Sequence, residues 1–198
     1  MPRPRRIDDA TLLEAARAVF VENGPGATTR EVARRAGVSE GVLFQRYKTK
    51  ADLFFAAMAP PAADPAAILS GAEGDVGDRE ALEEAALRIL AYFRETMPLL
   101  LPLVNHPSFD PQQFFHGEAP ASLQSWIEEL GRFLAAQHTS AAAGENIRGA
   151  ATLLTSALFG VALIDTAGIH GAPLGDDAIR GMVKALWDGV GGEGPGRR

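Results

Sequence analysis

The sequence predicts an all-α chain, and three features carry that prediction. Alanine, leucine, glutamate and arginine dominate, while β-branched residues are scattered rather than alternating, which favours helix over sheet. Apolar residues recur at helical spacing in segment after segment, and several segments open on a capping residue. No stretch reads convincingly as strand, and there is no internal repeat. The 198 residues, 46% of them hydrophobic, can bury a real core and divide into two expected domains, 1–58 and 59–198.

The first domain is predicted to hold three helices and the start of a connecting fourth. Helix 1 spans about Asp9 to Asn23, with Asp8 or Asp9 as N-cap and Leu13, Ala16 and Phe20 as its apolar stripe; Asn23-Gly24-Pro25-Gly26 stops it. Thr28-Thr29-Arg30-Glu31 is a capping box that opens helix 2, whose Val32, Ala33 and Ala36 face inward. Gly37 suits a left-handed turn. Ser39 can cap helix 3, which runs to about Tyr47 with Leu43 and Tyr47 buried. Thr49 can cap helix 4, with Asp52 in its first turn, Leu53, Phe54 and Ala57 as its stripe, and Pro60-Pro61 at its end.

Residues 59–78 read as a linker with one short helical turn at most. A long amphipathic helix follows from Arg79 to Met97, stopped by Pro98, and then a proline-broken apolar stretch over 98–117. A helix is expected from roughly Pro120 to His138, with Gly144 marking a break. Two more, Ile147 to Thr166 and Asp176 to Val190, close the chain before a glycine-rich tail.

The net charge of −6 hides an asymmetry. Residues 1–58 hold ten Lys/Arg against seven Asp/Glu (+3), and the rest hold nine against eighteen (−9). A basic head on an acidic body suits a protein that meets phosphate with one end. The absence of cysteine excludes disulfides, thiolate metal sites and a cysteine nucleophile. No signal segment follows the N-terminus and no run approaches 18 apolar residues, so a soluble, cytoplasmic protein without membrane contact is expected. There is no Gly-x-Ser-x-Gly, P-loop, dinucleotide fingerprint or metal-like histidine spacing. Hence no catalytic residue, metal or cofactor is expected.

The informative stretch runs from Thr28 to Lys50. Two short helices separated by a tight glycine-containing turn cross steeply, and the second then presents its N-terminal half outward. Small Gly41 lets that half approach base edges, while Thr28, Thr29 and Lys50 sit at helix starts, where hydroxyls, free amides and an ammonium suit phosphate oxygens. These residues, with the Ala36-Gly37-Val38-Ser39 turn, the Gly41-Val42-Leu43-Phe44 run, and Glu14-Ala15-Ala16, Phe20 and Gly24 upstream, resemble the TetR family of transcriptional regulators over about residues 6–58.

The resemblance implies a helix-turn-helix DNA-binding domain followed by a larger helical ligand-binding and dimerisation domain. Its DNA-facing positions fall on Thr28, Thr29, Arg30, Ser39, Glu40, Gly41, Val42, Phe44, Arg46 and Lys50. Arg30 looks like a potential guanine reader. Phe44 stands where the family usually has a tyrosine that bonds phosphate, so no hydrogen bond is assigned to it, and Tyr47 stands where the family has a core phenylalanine. Competing structural roles are open: Thr28 as a cap alone, Arg34 and Arg35 as a solvated face, and Glu40 as either a cytosine reader or a residue that repels phosphate.

By the same resemblance the partners are a double-stranded DNA operator, a second copy joined through helices 147–166 and 176–190, and a small lipophilic ligand. Helix 147–166 supports the dimer independently, being rich in Gly149, Ala150, Ala151, Ala157, Gly160 and Ala162 and sparsely charged, with burial inside the same chain as the competing explanation. Candidate ligand contacts are Phe93, Met97, Leu103, His106, Phe109, Phe115, Trp126 and Phe159, each with ordinary core as its alternative. The expected function is a repressor released from a palindromic operator by ligand. The alternatives are an activator or ligand-independent regulator on the same fold, or a helical small-molecule-binding protein without DNA function.

Overall fold

The computed structural model describes residues 7–72, 79–110, 122–137, 144–169 and 171–191. Among them the only regular elements are helices: α1 (Asp9–Asn23), α2 (Thr29–Ala36), α3 (Glu40–Arg46), α4 (Lys50–Met58), α5 (Pro65–Leu69), α6 (Arg79–Val104), α7 (Leu123–Gln137), α8 (Gly144–Thr166) and α9 (Asp176–Gly191). The chain is all-α. It divides into two compact units, residues 1–61 with 98–119, and residues 62–97 with 120–198.

In the first unit the helix ends follow from local chemistry. Asp8 caps α1 by accepting the Thr11 N–H at 2.7 Å, and Thr28 and Thr49 close reciprocal capping boxes with Glu31 and Asp52. Gly37 ends α2 at φ 68°, where a side chain would be strained, and donates its N–H to Ala33 and Arg34. The core gathers Leu12, Ala16, Val19 and Phe20 of α1 with Val32, Ala33, Leu43, Leu53, Phe54, Ala57 and Met58. Phe20 and Phe54 meet edge to face at 5.1 Å. Arg17 closes the end of α4, donating to the Ala57 and Ala59 carbonyls at 2.8 and 3.2 Å, where a cation suits the helix dipole.

Two sequence expectations fail within or next to this unit. Ser39 occupies the N-cap of α3 in extended backbone, but its hydroxyl makes no cap hydrogen bond. The first turn is tightened instead, with the Val42 N–H donating to the Ser39 carbonyl at 3.0 Å. Helix α6 does not stop at Pro98 but runs through Pro98 and Pro102 to Val104. The two prolines stand four residues apart and both are exposed, so the carbonyls they leave unpaired face the solvent side. On the opposite side Leu99 and Leu103 are buried in the first unit's core.

The second unit is built on α6 (to Met97), α7, α8 and α9. Its core includes Leu82, Ile89, Leu90, Phe93, Trp126, Leu130, Leu154, Leu158, Ile179 and Val183. Helices α7 and α8 approach closely enough that a Cβ on Gly131 would lie 3.9 Å from that of Ala151. Two ion-pair clusters tie the helices together. Glu83 of α6 accepts from Arg79 at 2.8 Å and from Arg180 of α9 at 3.1 Å. Arg94 of α6 donates twice to Asp165 of α8, at 2.9 and 2.7 Å, and once to the Leu174 carbonyl.

Helix α8 begins at Gly144, where the sequence predicts a break. The range 147–166 within it is long and apolar enough by length and composition to cross a membrane, where the sequence predicts no such run; a third of it is buried. It owes that character to leucine, isoleucine, valine, phenylalanine and alanine, interrupted by Arg148, Thr152, Thr155 and Ser156, and it carries the paired Asp165.

Candidate nucleic-acid interface

Helices α2 and α3, of 8 and 7 residues, are joined by the three-residue turn Gly37 to Ser39. Leu43 anchors α3 by its buried face. This leaves Gly41, Phe44 and Gln45 exposed; Phe44, at 46%, is among the most exposed large apolar residues described. A Cβ on Gly41 would meet only the Ser39 hydroxyl, at 3.7 Å. Glycine is therefore not required there by the chain's own packing, and it keeps that face low.

The starts of α2, α3 and α4 converge beside this face. The Thr29 hydroxyl donates to Glu40 at 2.8 Å, joining the first residues of α2 and α3. Thr28 accepts the Glu31 N–H at 3.2 Å, and its own N–H and hydroxyl both donate to the Glu31 carboxylate at 2.8 Å. That carboxyl sits below the usual range because of the Thr28 N–H first, then the Thr28 hydroxyl, with Arg34 and Lys50 adding positive charge. Lys50, at the start of α4, thus lies near the start of α2. The amides of Thr29 and Arg30 have no acceptor within their helix and point out of its N-terminus, where an anion is favoured.

The structure sorts the sequence-predicted residues. Thr28, Arg30, Ser39, Gly41, Phe44, Arg46 and Lys50 are exposed, and Thr29, Glu40 and Val42 are partly buried. Arg30 makes no ion pair or hydrogen bond among the described residues, whereas Arg46 is bound within the chain, to Asp9 at 2.5 Å and to the Ile7 carbonyl at 2.6 Å. Both threonine hydroxyl protons are committed to carboxylates. Arg35 is held by Glu22 at 2.7 Å, in keeping with a surface role. Tyr47 packs against the core, and burial pushes its hydroxyl pKa up. Gln45 and Lys48, both exposed, were not singled out in the sequence. The signal was available for Gln45, which stands four residues after Gly41 and so on the same helix face.

The ligand candidates fall into separate groups. Phe93 meets Trp126 at 5.5 Å and Phe159 at 5.6 Å in the second unit, where Met97 is also buried. Leu103 is buried in the first unit's core, and there His106 stacks on Phe54 at 5.0 Å. Phe109 is partly buried, and Phe115 lies outside the described residues. Among the described residues no group of three or more His, Asp or Glu could hold a metal ion.

A short helix pair with an exposed second helix and convergent helix starts defines the first unit as a helix-turn-helix DNA-binding domain. Residues 12–57 match the bacterial regulatory proteins of the tetR family. Over this stretch the chain is similar to the TetR family of transcriptional regulators.

It is 32% identical over 111 residues to the uncharacterized HTH-type transcriptional regulator YvkB of Bacillus subtilis (strain 168), a match spanning 51% of this chain and 58% of that protein. Among solved structures, a transcriptional regulator from Rhodococcus sp. Rha1 aligns with TM-score 0.63 and 23% identity over 93% of this chain and 96% of that one. BioQ, solved with its double-stranded DNA operator, aligns with TM-score 0.50 and 19% identity over 93% of this chain and 98% of that one. These two show the shared fold.

Proposed function

We propose that the chain is a dimeric, ligand-responsive repressor that binds a palindromic DNA operator through α3 and lets go when a small lipophilic molecule occupies its second unit. The observation that carries this reading is the exposed face of Gly41, Phe44 and Gln45 on a helix anchored by buried Leu43. Arg30 and the amides at the start of α2 flank it as base and phosphate contacts, with Lys50 on phosphate. For Thr28 and Thr29 to donate to phosphate, the DNA must compete with Glu31 and Glu40 for their protons. Arg46 has the smaller part, since Asp9 already holds it.

Two units of DNA-reading surface are needed to reach successive major grooves about 34–36 Å apart. A second copy is supported by the outward face of α8. Gly149, Leu153, Ser156 and Leu163 are exposed at alternating spacings of four, three and seven residues, with partly exposed Gly160 between the last two. Leu153 is 62% exposed, and a Cβ on Gly149 or Gly160 would meet nothing within 4 Å. On α9, Ala178, Gly181 and Ala185 are exposed likewise. Small residues on both helices permit close approach of a four-helix contact between copies.

Regulation then needs no chemistry from the protein, only a ligand whose affinity differs between a DNA-competent and a DNA-incompetent form. Such a protein acts in the cytoplasm, beside the chromosome. A mobility-shift assay with the DNA upstream of its own gene tests the reading, with and without an organic extract of the host cells. Specific retardation that weakens between about 50 and 200 mM salt and is relieved by the extract is expected. Retardation unrelieved by any extract points to ligand-independent regulation. No retardation at low salt leaves a helical small-molecule-binding protein.

A further inference from the structure

We infer that Trp126 and Thr155 are the polar anchors of a site, between α6, α7 and α8, for an uncharged aromatic molecule carrying a hydrogen-bond acceptor such as a carbonyl. The inference rests on the ligand-responsive reading above and deepens it by naming the recognising atoms and the ligand class.

Trp126 is 1% exposed and Thr155 fully buried, yet neither the Trp126 Nε1–H nor the Thr155 hydroxyl has a hydrogen-bond partner. Buried polar groups left unpaired are rare and costly, and each calls for an explanation. Thr155 had an easy remedy that it does not use. Its neighbour Thr152, on the same helix, donates back to the Arg148 carbonyl at 2.8 Å, and buried Thr96 on α6 donates to the Tyr92 carbonyl at 2.9 Å. The Thr155 hydroxyl makes no such bond to its own helix.

The two atoms belong to one region. Helices α7 and α8 form a hairpin in which Gly131 meets Ala151 and Ala135 lines the same cleft as Ile147, so the pair is antiparallel. From the Gly131–Ala151 contact, Thr155 lies four residues along α8, about 6 Å, and Trp126 five residues back along α7, about 7.5 Å. Both therefore stand at the same level. They share the aromatic cluster there, in which Phe93 meets the Trp126 ring and Phe159, one turn beyond Thr155, and Tyr92 meets Trp126 at 5.0 Å.

The chemistry of this region fixes the ligand class. An indole N–H only donates, so the ligand must accept, and the threonine hydroxyl can serve the same or an adjacent oxygen. The rings supply flat apolar walls. The buried and half-buried charges Glu83, Arg94 and Asp165 are already paired, Arg94 with Asp165 and Glu83 with Arg79 and Arg180, while Glu95 and Arg148 are exposed, so a charged ligand would find no buried counter-ion. Because both polar atoms are closed off, the ligand enters by parting the helices, and half-buried Phe159 is the ring at the edge of the cluster. The opened, ligand-filled form gains two hydrogen bonds that the closed form lacks, which is the differential affinity a switch requires.

Equilibrium dialysis of the full-length protein against acetophenone and ethylbenzene tests this, since the two share ring and shape and differ in the carbonyl. Saturable binding of acetophenone, about tenfold tighter than ethylbenzene, is expected, as one good hydrogen bond would give. Trp126→Phe and Thr155→Val should each narrow that gap about fivefold or more without weakening ethylbenzene. Thr155→Val should also raise the melting temperature of the ligand-free protein, because it removes an unpaired hydroxyl.

Equal binding of the two probes, no binding of acetophenone, or a lowered melting temperature for Thr155→Val would overturn the inference; the last result would mean that water already serves the hydroxyl. The broader reading has its own readout in release from DNA. Should an extract still release both variants from DNA at the parent concentration, the anchors are wrong and the ligand-responsive reading stands.

Discussion

Replacing Gly41 by leucine separates folding from DNA reading in a single residue. A β-carbon at this position meets only the Ser39 hydroxyl at 3.7 Å, an ordinary contact, and the residue is exposed with helical backbone. The fold therefore loses nothing, and exchange of glycine for a good helix former gains up to about 0.8 kcal/mol. For a chain of this size that is about 2 °C in melting temperature. On DNA the sign reverses. A leucine on the outward face holds α3 away from the groove, and loss of two base contacts at the weak end of their range costs about 2 kcal/mol. That is about 30-fold in affinity. Thermal unfolding followed by circular dichroism and titration of a bound duplex by fluorescence anisotropy measure the two effects. If the leucine variant binds as tightly as the parent while remaining folded, α3 does not enter the duplex and the placement of the interface fails.

Five further substitutions follow from the placement of named residues. Leu153→Glu places a charge on the exposed stripe of α8, so light scattering should find a monomer whose helix content is unchanged; a dimer of parent stability would remove α8 from the interface. Arg94→Met strands Asp165, whose side chain is 7% exposed, and should destabilise the protein by about 3 kcal/mol in urea unfolding; an effect below about 1 kcal/mol would mean that Asp165 is solvated.

Arg30→Ala should relax base preference in competition assays, whereas Lys50→Ala should weaken all duplexes alike and flatten the salt dependence. Glu31 has a folded pKa below its unfolded one, so its stabilisation is complete above the unfolded value and disappears as pH falls through the folded value. Urea midpoints of Glu31→Gln should therefore show less decline in the acid range than those of the parent, and parallel profiles would contradict the capping account.

Local chemistry was readable from the sequence where a single short-range bond decides the outcome. The boxes at Thr28 and Thr49, the Asp8 cap and the left-handed Gly37 each depend on residues no more than four apart, and all are present. Ser39 shows the limit. A serine at an N-cap has the right chemistry, but a tight first turn leaves its hydroxyl without a cap bond.

The passage of α6 through Pro98 and Pro102 was illegible for a different reason. Each proline alone predicts a stop, and only their shared exposure makes the lost hydrogen bonds tolerable. The partnership of Leu99 and Leu103 with the first unit's core is equally non-local. In the candidate interface the outward residues of α3 followed from Leu43 being its buried anchor. That Arg46 is held by Asp9, and Thr29 by Glu40, depends on pairs 37 and 11 residues apart.

The central claim is that an exposed α3 reads duplex DNA as part of a symmetric pair. Selection of duplexes from a randomised pool by the purified protein tests it most directly. Enrichment of an inverted repeat, with half-site centres a whole number of helical turns apart, is the predicted result. Recovery of the starting pool without any enriched sequence, at salt low enough to retain basic DNA-binding proteins, would contradict it.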